Sequence, residues 1–176
     1  MSEFLKIEEG KVYFLTMTIV DWIDLFTREC YADILVDSIK YCQQHKGLEL
    51  FAYVIMPSHA HLIASCEGNL SHILRDLKEH TSKLFIKEII DNKQESRKEW
   101  LLDKLTISKQ TKTGKPAYRV WQEGNHPIEL YSDWFIAQKE HYIHMNPVVA
   151  GIVSQPHYYR LSSACEDSPI KVLPIR

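Results

Sequence analysis

Two histidines one residue apart, His59 and His61, lie in the segment VIMPSHAHLIAS, residues 54–65 of the 176-residue chain. They begin an apolar run whose composition predicts a buried strand. Side chains two positions apart in a strand point to the same face, so both imidazole rings would project together and could bind one metal ion. Most His-x-His pairs are instead hydrogen-bonded or solvated, so a metal site also requires a third ligand and a reacting group.

A tyrosine and an asparagine near the carboxy terminus are candidates for these two roles. The segment SDWFIAQKEHYIHMNP, residues 132–147, begins with a serine that can cap a helix. The helix is predicted to end near Asn146, because Pro147 disfavours α geometry in the residue before it. Tyr142 and Asn146 would lie one above the other on this helix, so a hydroxyl and an amide oxygen could reach one point. A half-buried aromatic and a helix-end amide without any chemical role would leave the same pattern.

The elements that would position these residues alternate between strands and helices. Period-two alternation and β-rich runs predict strands at 11–20, 48–56, 59–66 and 117–122, with a hairpin at Pro57-Ser58. Apolar residues at helical spacing predict helices at 31–45 and 70–90, before the carboxy-terminal helix. The polar stretch 91–115 is predicted to be an excursion or hairpin outside the core. The order β-α-β-β-α-β-α predicts an α+β domain, an antiparallel sheet covered by helices.

Length and composition predict one folded domain over residues 1–176. Hydrophobic residues make up 45% and charged residues 25%, which is typical of a soluble globular protein. We expect a cytoplasmic protein without a membrane segment, because the apolar runs are too short to span a bilayer and the amino terminus lacks a secretory pattern. The cysteines, at 30, 42, 66 and 165, lack Cys-x-x-Cys spacing, so reduced thiols are expected rather than a zinc knuckle or a disulfide framework.

Charge is unevenly distributed along the chain. The net charge is −2, yet residues 75–119 carry twelve Lys and Arg against seven Asp and Glu, an excess of five positive charges. A solvated helix face followed by a lysine-bearing loop would explain this excess. It would form a phosphate-contacting surface only if a nearby site binds phosphate.

Four segments together resemble a known family. They resemble the single-tyrosine transposases of insertion sequences and their REP-associated relatives. The segments are MPSHAHLI, RDLKEHTSKLF, RVWQEGNHPIEL and HYIHMNPVVAGIV. These belong to the His-hydrophobic-His (HUH) endonucleases. The resemblance covers about residues 12–164, with all segments in the family's order. It implies an RRM/ferredoxin-like antiparallel sheet, with the two histidines on a central strand and the tyrosine helix close to it.

The resemblance also implies the roles of the site residues. His59 and His61 would be the metal-binding pair, Tyr142 the nucleophile, and Asn146 the residue that completes the metal shell. Two imidazoles, one amide oxygen and open positions suit Mg²⁺ or Mn²⁺. Such an ion would activate a phosphodiester for attack by Tyr142, giving a 5′-phosphotyrosine and a free 3′-OH. Strand transfer would then need no nucleotide cofactor. The base that takes the phenol proton is not identifiable, since His141 and His144 point away from the tyrosine face.

The implied substrate is single-stranded DNA folded into hairpins. Its contacts are predicted at Arg75, Lys78, Lys83, Lys87, Lys112 and Lys115 for phosphates, and at Arg119 and Trp121 for stacking on unpaired bases. A homodimer that exchanges tyrosine helices and a monomer that acts alone both remain open. The tail after Ala164 could be a disordered end or a segment that covers the active site.

Two other functions remain open beside a DNA transposase. A domesticated protein could bind hairpin DNA without moving it. A metal-dependent hydrolase of a small phosphoester could use water as its nucleophile. Replacing Tyr142 by Phe separates these functions, because only the transposase depends on the tyrosine hydroxyl for its covalent intermediate.

Overall fold

The strands and helices alternate much as the sequence patterns predict. The computed structural model describes residues 7–108, 114 and 116–174. In chain order they contain β1 (Tyr13–Thr18), α1 (Glu29–His45), β2 (Leu48–Ile55), β3 (His59–Cys66), α2 (Leu70–Asp91), α3 (Lys98–Leu105), β4 (Thr106–Ser108), β5 (Ala117–Tyr118), β6 (Ile128–Glu129) and α4 (Asp133–Val149). Lys112 and Lys115, two of the predicted DNA contacts, lie outside the described residues.

Four of the strands form one antiparallel sheet in the order β2-β3-β1-β6. This is the order of a split β-α-β fold of the ferredoxin type, in which the third strand lies between the first two. The predicted α+β class with an antiparallel sheet is therefore confirmed. The strand β3 is internal, with hydrogen-bonded neighbours on both sides. The backbone at its start is therefore fixed by pairing with both β1 and β2.

The β2–β3 hairpin is confirmed, and β3 has the predicted bounds. Ile55 pairs with Ala60, and the Met56 N–H donates to the His59 carbonyl at 2.8 Å, so Pro57 and Ser58 form the turn. Pro57 has no N–H to contribute to a ladder, which is why the strand pattern is interrupted there.

The two faces of the sheet are covered by different helices. Tyr13, Leu15 and Met17 of β1 point into the larger core, where α1 and α2 pack. Phe14, between them, points to the opposite face and packs in a smaller cluster with Ile136 and Ile143 of α4, among others. Alternation along one strand thus separates the main core from the face that carries α4.

The predicted end of α4 is wrong. Ser132 caps the helix by accepting from the Phe135 N–H at 3.3 Å, as expected, but the helix continues through Pro147 to Val149. A proline inside a helix removes one hydrogen bond and crowds the preceding turn. Here the loss falls in the last turn, where Pro147 is buried and the Ala150 N–H still bonds to the Asn146 carbonyl at 3.0 Å. Tyr142 and Asn146 therefore both lie within regular helix.

The region after α2 is only partly as predicted. It includes α3, whose Leu101 and Leu105 are buried in the main core, although the stretch was expected to lie outside it. A hairpin follows, because β4 pairs with β5. The predicted strand 117–122 is limited to β5, and Trp121 joins the main sheet only through an isolated bridge to Ile19.

The described tail lies against the fold, and its residues 172–174 share a pocket with Glu140 of α4. The chain follows the outer edge of β2. Just before the tail, the Ser163 N–H donates to the Tyr53 carbonyl at 2.9 Å, and within the tail the Leu173 N–H donates to the Leu50 carbonyl at 2.8 Å. Ile170 is fully buried between these points. The described tail is therefore not a disordered end.

The four cysteines are free thiols, as expected. No helix among the described residues has the length and apolar character needed to cross a membrane.

Candidate active site

The two histidines project from the start of β3 onto the sheet face that carries α4. Their ring centroids are 4.8 Å apart, with the ring planes inclined at 73°. Their register partners on β1 are Thr18 and Thr16, respectively. The close approach follows from the strand, because residues i and i+2 share one face.

His61 is enclosed by residues of β1. Only 6% of it is exposed, and its ring stacks on Phe14 with centroids 5.1 Å apart. Its Nδ1 lies 2.9 Å from the Thr16 hydroxyl. Burial, assisted by His59 and Lys139, lowers the pKa of His61 to about 3, so the ring is neutral near neutral pH. With the proton on Nδ1 and donated to Thr16, Nε2 keeps a free lone pair, as a metal-binding histidine requires.

His59 is the more accessible of the pair. Its Nδ1 lies 3.2 Å from the Ser58 hydroxyl, and its ring meets the Trp22 ring edge to face at 5.4 Å. Burial also lowers the pKa of this imidazole from its ordinary value. Both histidines are thus held in the deprotonated form that binds metal ions.

The burial of His61 predicts a pH dependence of stability. Below the ordinary pKa of 6.5 the unfolded chain takes up a proton at this imidazole, whereas the folded protein does not until about pH 3. The free energy of unfolding of the metal-free protein should therefore decrease as the pH is lowered through this window, by up to about 1.4 kcal/mol per pH unit. Urea denaturation in chelator at several pH values checks this. His61→Gln should show a shallower fall, and equal slopes in the two proteins would contradict the prediction.

Tyr142 lies beside the histidine pair of the same chain. Helix α4 places its ring 5.4 Å from the His61 ring and 5.9 Å from Phe14, measured between centroids. Tyr142 is 48% exposed, so it is held by packing on one side and open to a substrate on the other. Asn146 follows one turn later on the same helix face and is half-buried.

His59 and His61 are the two candidate metal ligands that the structure brings together. Among the described residues no group of three His, Cys, Asp or Glu is placed to hold a metal ion. The amide of Asn146 is the remaining protein donor that the sequence predicts for this face. The site predicted from the sequence, His59 and His61 with Asn146 around Mg²⁺ or Mn²⁺, therefore stays a prediction.

Sequence reasoning missed Lys139, one turn before Tyr142. Its Nζ lies 4.8 Å from the centroid of the Phe14 ring and 5.7 Å from that of Tyr142. A cation at this distance can stabilise negative charge on a phenolate or a phosphate. The sequence could have indicated this, because Lys139 lies three residues before Tyr142 and residues at that spacing share a helix face.

Several predicted DNA contacts line one cleft. Arg75, Lys78 and Lys83 of α2 face residues 118–125 across a cavity of about 510 Å³, and Arg119 lies on the opposite wall. Lys83 is paired with Glu79 at 2.6 Å and Arg119 with Glu123 at 3.2 Å. Lys87 is exposed but does not line this cleft.

Lys78 has a structural role at the edge of this cleft. Its Nζ donates to the Gln122 carbonyl at 3.2 Å and to the Gly124 carbonyl. Burial lowers its pKa to about 8. The next carbonyl, that of Asn125, accepts from the Thr16 N–H at 2.9 Å. Lys78 therefore holds the segment that flanks the hydroxyl partner of His61.

The prediction that Trp121 stacks on unpaired bases is wrong. Only 5% of Trp121 is exposed, and its indole N–H donates to the Thr81 hydroxyl at 2.9 Å. The ring packs near Phe26 and Phe85 inside the main core. No base can reach it there, and its presence in an apolar strand pattern reflects core packing.

Comparisons with known proteins identify the family and the fold. Residues 14–104 match the family model described as IS200-like transposase, a range that includes both histidines and ends before Tyr142. No curated protein matches the chain. A solved structure of a REP-associated tyrosine transposase bound to a REP hairpin is 20% identical, with a TM-score of 0.66 over 93% of this chain and 82% of that one. A transposase candidate from Deinococcus radiodurans R1 is also 20% identical, with a TM-score of 0.48 over 81% of this chain and 95% of that one. At these identities the first likeness establishes the fold.

Proposed function

Since the chain belongs to the IS200-like transposase family and is a DNA transposase, we propose that it cleaves and rejoins single-stranded DNA through a 5′-phosphotyrosine at Tyr142. One observation carries the proposal. The Tyr142 ring lies 5.4 Å from His61, whose ring is 4.8 Å from that of His59, on one open face of one chain. A nucleophile, two neutral imidazoles and space for a substrate occur together there.

The metal ion belongs to this proposal. His59 and His61 would hold Mg²⁺ or Mn²⁺ through ring nitrogens, and Asn146 through its amide oxygen. When bound, such an ion polarises a phosphoryl oxygen and stabilises the leaving 3′ oxygen. The Thr16 hydroxyl, 2.9 Å from His61 Nδ1, orients that ring. Histidine ligands favour Mn²⁺ slightly over Mg²⁺.

The covalent step involves the residues of α4. The Tyr142 phenol oxygen attacks phosphorus, a P–O bond to tyrosine forms, and the bond between phosphorus and the 3′ oxygen breaks. The phenol proton passes to water, and the leaving 3′ oxygen gains a proton to become a 3′-OH. The ammonium group of Lys139, 5.7 Å from the tyrosine ring, stabilises the charge that develops on the phenolate and the phosphate.

Rejoining reverses these bonds. A 3′-OH attacks the phosphotyrosine, forms a new phosphodiester and returns the phenol. The number of high-energy bonds is unchanged, so the reaction needs no nucleotide cofactor. Tyr142 lies beside the histidines of its own chain, which supports action by one chain without exchange of helices.

DNA hairpins are the proposed substrate. The similar solved structure is bound to a REP hairpin, and predicted phosphate-contacting cations line the cleft between α2 and residues 118–125. Lys83 and Arg75 are its most exposed cations of the predicted set, with 72% and 66% of their side chains accessible. Phosphate contacts of this kind position DNA without reading its sequence.

The experiment that tests the proposal is an incubation with a labelled pool of hairpin-bearing single-stranded DNA and Mn²⁺. Denaturing gels should reveal a protein–DNA adduct, and mass mapping should assign it to Tyr142. Chelator should prevent its formation. Tight hairpin binding without any adduct would instead establish a DNA-binding protein, and turnover of small phosphoesters without an adduct would establish a hydrolase.

A further inference from the structure

Large aromatic side chains are exposed on both sides of the candidate site. Trp22 is 60% exposed and Trp134 is 72% exposed. Exposed tryptophans are uncommon, because the indole is among the largest apolar side chains. Neither residue has a role in the reaction proposed above.

A continuous series of close contacts joins these two tryptophans across the site. We name it the aromatic track, and it consists of Trp22, His59, His61, Tyr142, Lys139, Phe135 and Trp134. Trp22 meets His59 at 5.4 Å, His59 meets His61 at 4.8 Å, and His61 meets Tyr142 at 5.4 Å. Beyond Tyr142, the Lys139 ammonium lies 5.7 Å from the rings of both Tyr142 and Phe135, and Phe135 stacks with Trp134 at 6.5 Å.

Trp22 is held in a strained backbone. Asp21 and Trp22 have consecutive positive φ values of 53° and 54°, a conformation that non-glycine residues rarely adopt. Buried residues on either side, Ile19 and Ile23, anchor the turn, and the Ile19 N–H donates to the Ser58 carbonyl at 2.9 Å. The fold thus tolerates strain in order to present an indole to solvent beside His59, and strain of this kind clusters at functional sites.

We propose that the aromatic track is the path of unpaired DNA across the site, with one base stacked on Trp22 and another on Trp134, on opposite sides of the scissile phosphate. This inference rests on the proposed function and extends it to the strand that flanks the cleaved bond. Aromatic rings stack on any base through its π face, and a cation between them attracts the connecting phosphates. Base stacking therefore secures the strand regardless of its sequence.

The charge within the track favours DNA over an apolar protein surface. Lys139 lies among the rings of Phe14, Phe135 and Tyr142, and among the described residues no carboxylate is within ion-pair distance of it. An apolar partner would have to bury this cation without compensation, which is costly. A phosphodiester would neutralise it. Continuity with Tyr142 also places the track where the substrate must pass.

The test measures binding without cleavage. The protein carries Tyr142→Phe and is kept in chelator, and the probe is a fluorescently labelled oligothymidylate that forms no hairpin. Fluorescence anisotropy should show that Trp22→Gly and Trp134→Ala each weaken binding by about tenfold. Trp100→Ala, which removes an exposed tryptophan on α3 outside the track, is the matched control and should leave the dissociation constant unchanged.

Glycine is the informative replacement at position 22. It adopts positive φ without a Cβ penalty, so Trp22→Gly should unfold at a higher temperature than Trp22→Ala while losing the ring. Weakened binding by a well-folded Trp22→Gly protein therefore reports the loss of stacking. Trp22→Phe, which keeps a ring, should recover most of the affinity.

Two results would overturn the inference. In the first, Trp22→Gly and Trp134→Ala bind oligothymidylate as tightly as the parent protein. In the second, sedimentation shows a dimer that Trp134→Ala dissociates, so that a second copy covers the track. Because the parent protein cannot cleave, these results are independent of the proposed chemistry. That chemistry fails separately if the wild-type protein forms no adduct.

Discussion

Tyr142→Phe should reduce DNA cleavage and adduct formation by about 10³-fold or more, because it removes the attacking oxygen. The phenylalanine ring should keep the contacts of Tyr142 with Phe14 and His61. The fold and the dissociation constant for hairpin DNA should therefore remain unchanged. Single-turnover cleavage rates and anisotropy measurements on the same preparations check both expectations.

Tyr41→Phe is the matched control for this experiment. Tyr41 is also exposed, but it lies on α1, on the other side of the sheet. Its replacement should leave cleavage at the wild-type rate. If the Tyr142→Phe protein retained most of its activity, water would be the nucleophile and the enzyme would be a hydrolase.

His61→Ala should abolish metal-dependent chemistry. We expect Mn²⁺ affinity to fall by about 10²-fold or more, because even replacing a residue that merely orients a ligand costs about 10–100-fold. Adduct formation at moderate Mn²⁺ concentration should be lost in parallel. Isothermal titration with Mn²⁺, followed by the cleavage assay over a range of Mn²⁺ concentrations, measures both effects.

Two further variants separate metal binding from folding. His61 stacks on Phe14, so His61→Ala also removes packing. Thr16→Val retains the imidazole and loses only its hydroxyl partner, and it should weaken Mn²⁺ binding less than His61→Ala does. His72→Ala removes an exposed histidine of α2 and should change nothing. Unchanged Mn²⁺ affinity in the His61→Ala protein would exclude His61 as a ligand.

Local sequence patterns were sufficient for the elements that hold the histidines. The alternation in β3 and the Pro57-Ser58 break define that strand and its hairpin, because both signals act over neighbouring residues. The capping role of Ser132 was predictable for the same reason. The adjacency of Tyr142 and His61 is different, because it depends on the packing of α4 against the sheet.

The errors arose where distant contacts override local preference. Pro147 was expected to end α4, but its burial and its place in the last turn allow the helix to continue. An aromatic in a predicted strand such as Trp121 is more often a core residue than a stacking platform, and its burial and its bond to Thr81 place it in the core. Nothing in the local composition around Trp22 indicates two left-handed residues in succession, because anchors on both sides impose that conformation.

The segment that pairs with the outer edge of β2 also protects the protein from aggregation with other copies of itself. Without the hydrogen bonds from Ser163 and Leu173, β2 would offer a row of unsatisfied N–H and C=O groups in an apolar strand. Such an edge recruits further strands and seeds cross-β aggregates. Proteolytic loss of residues 163–173 would thus expose the edge of β2 and favour aggregation of the protein.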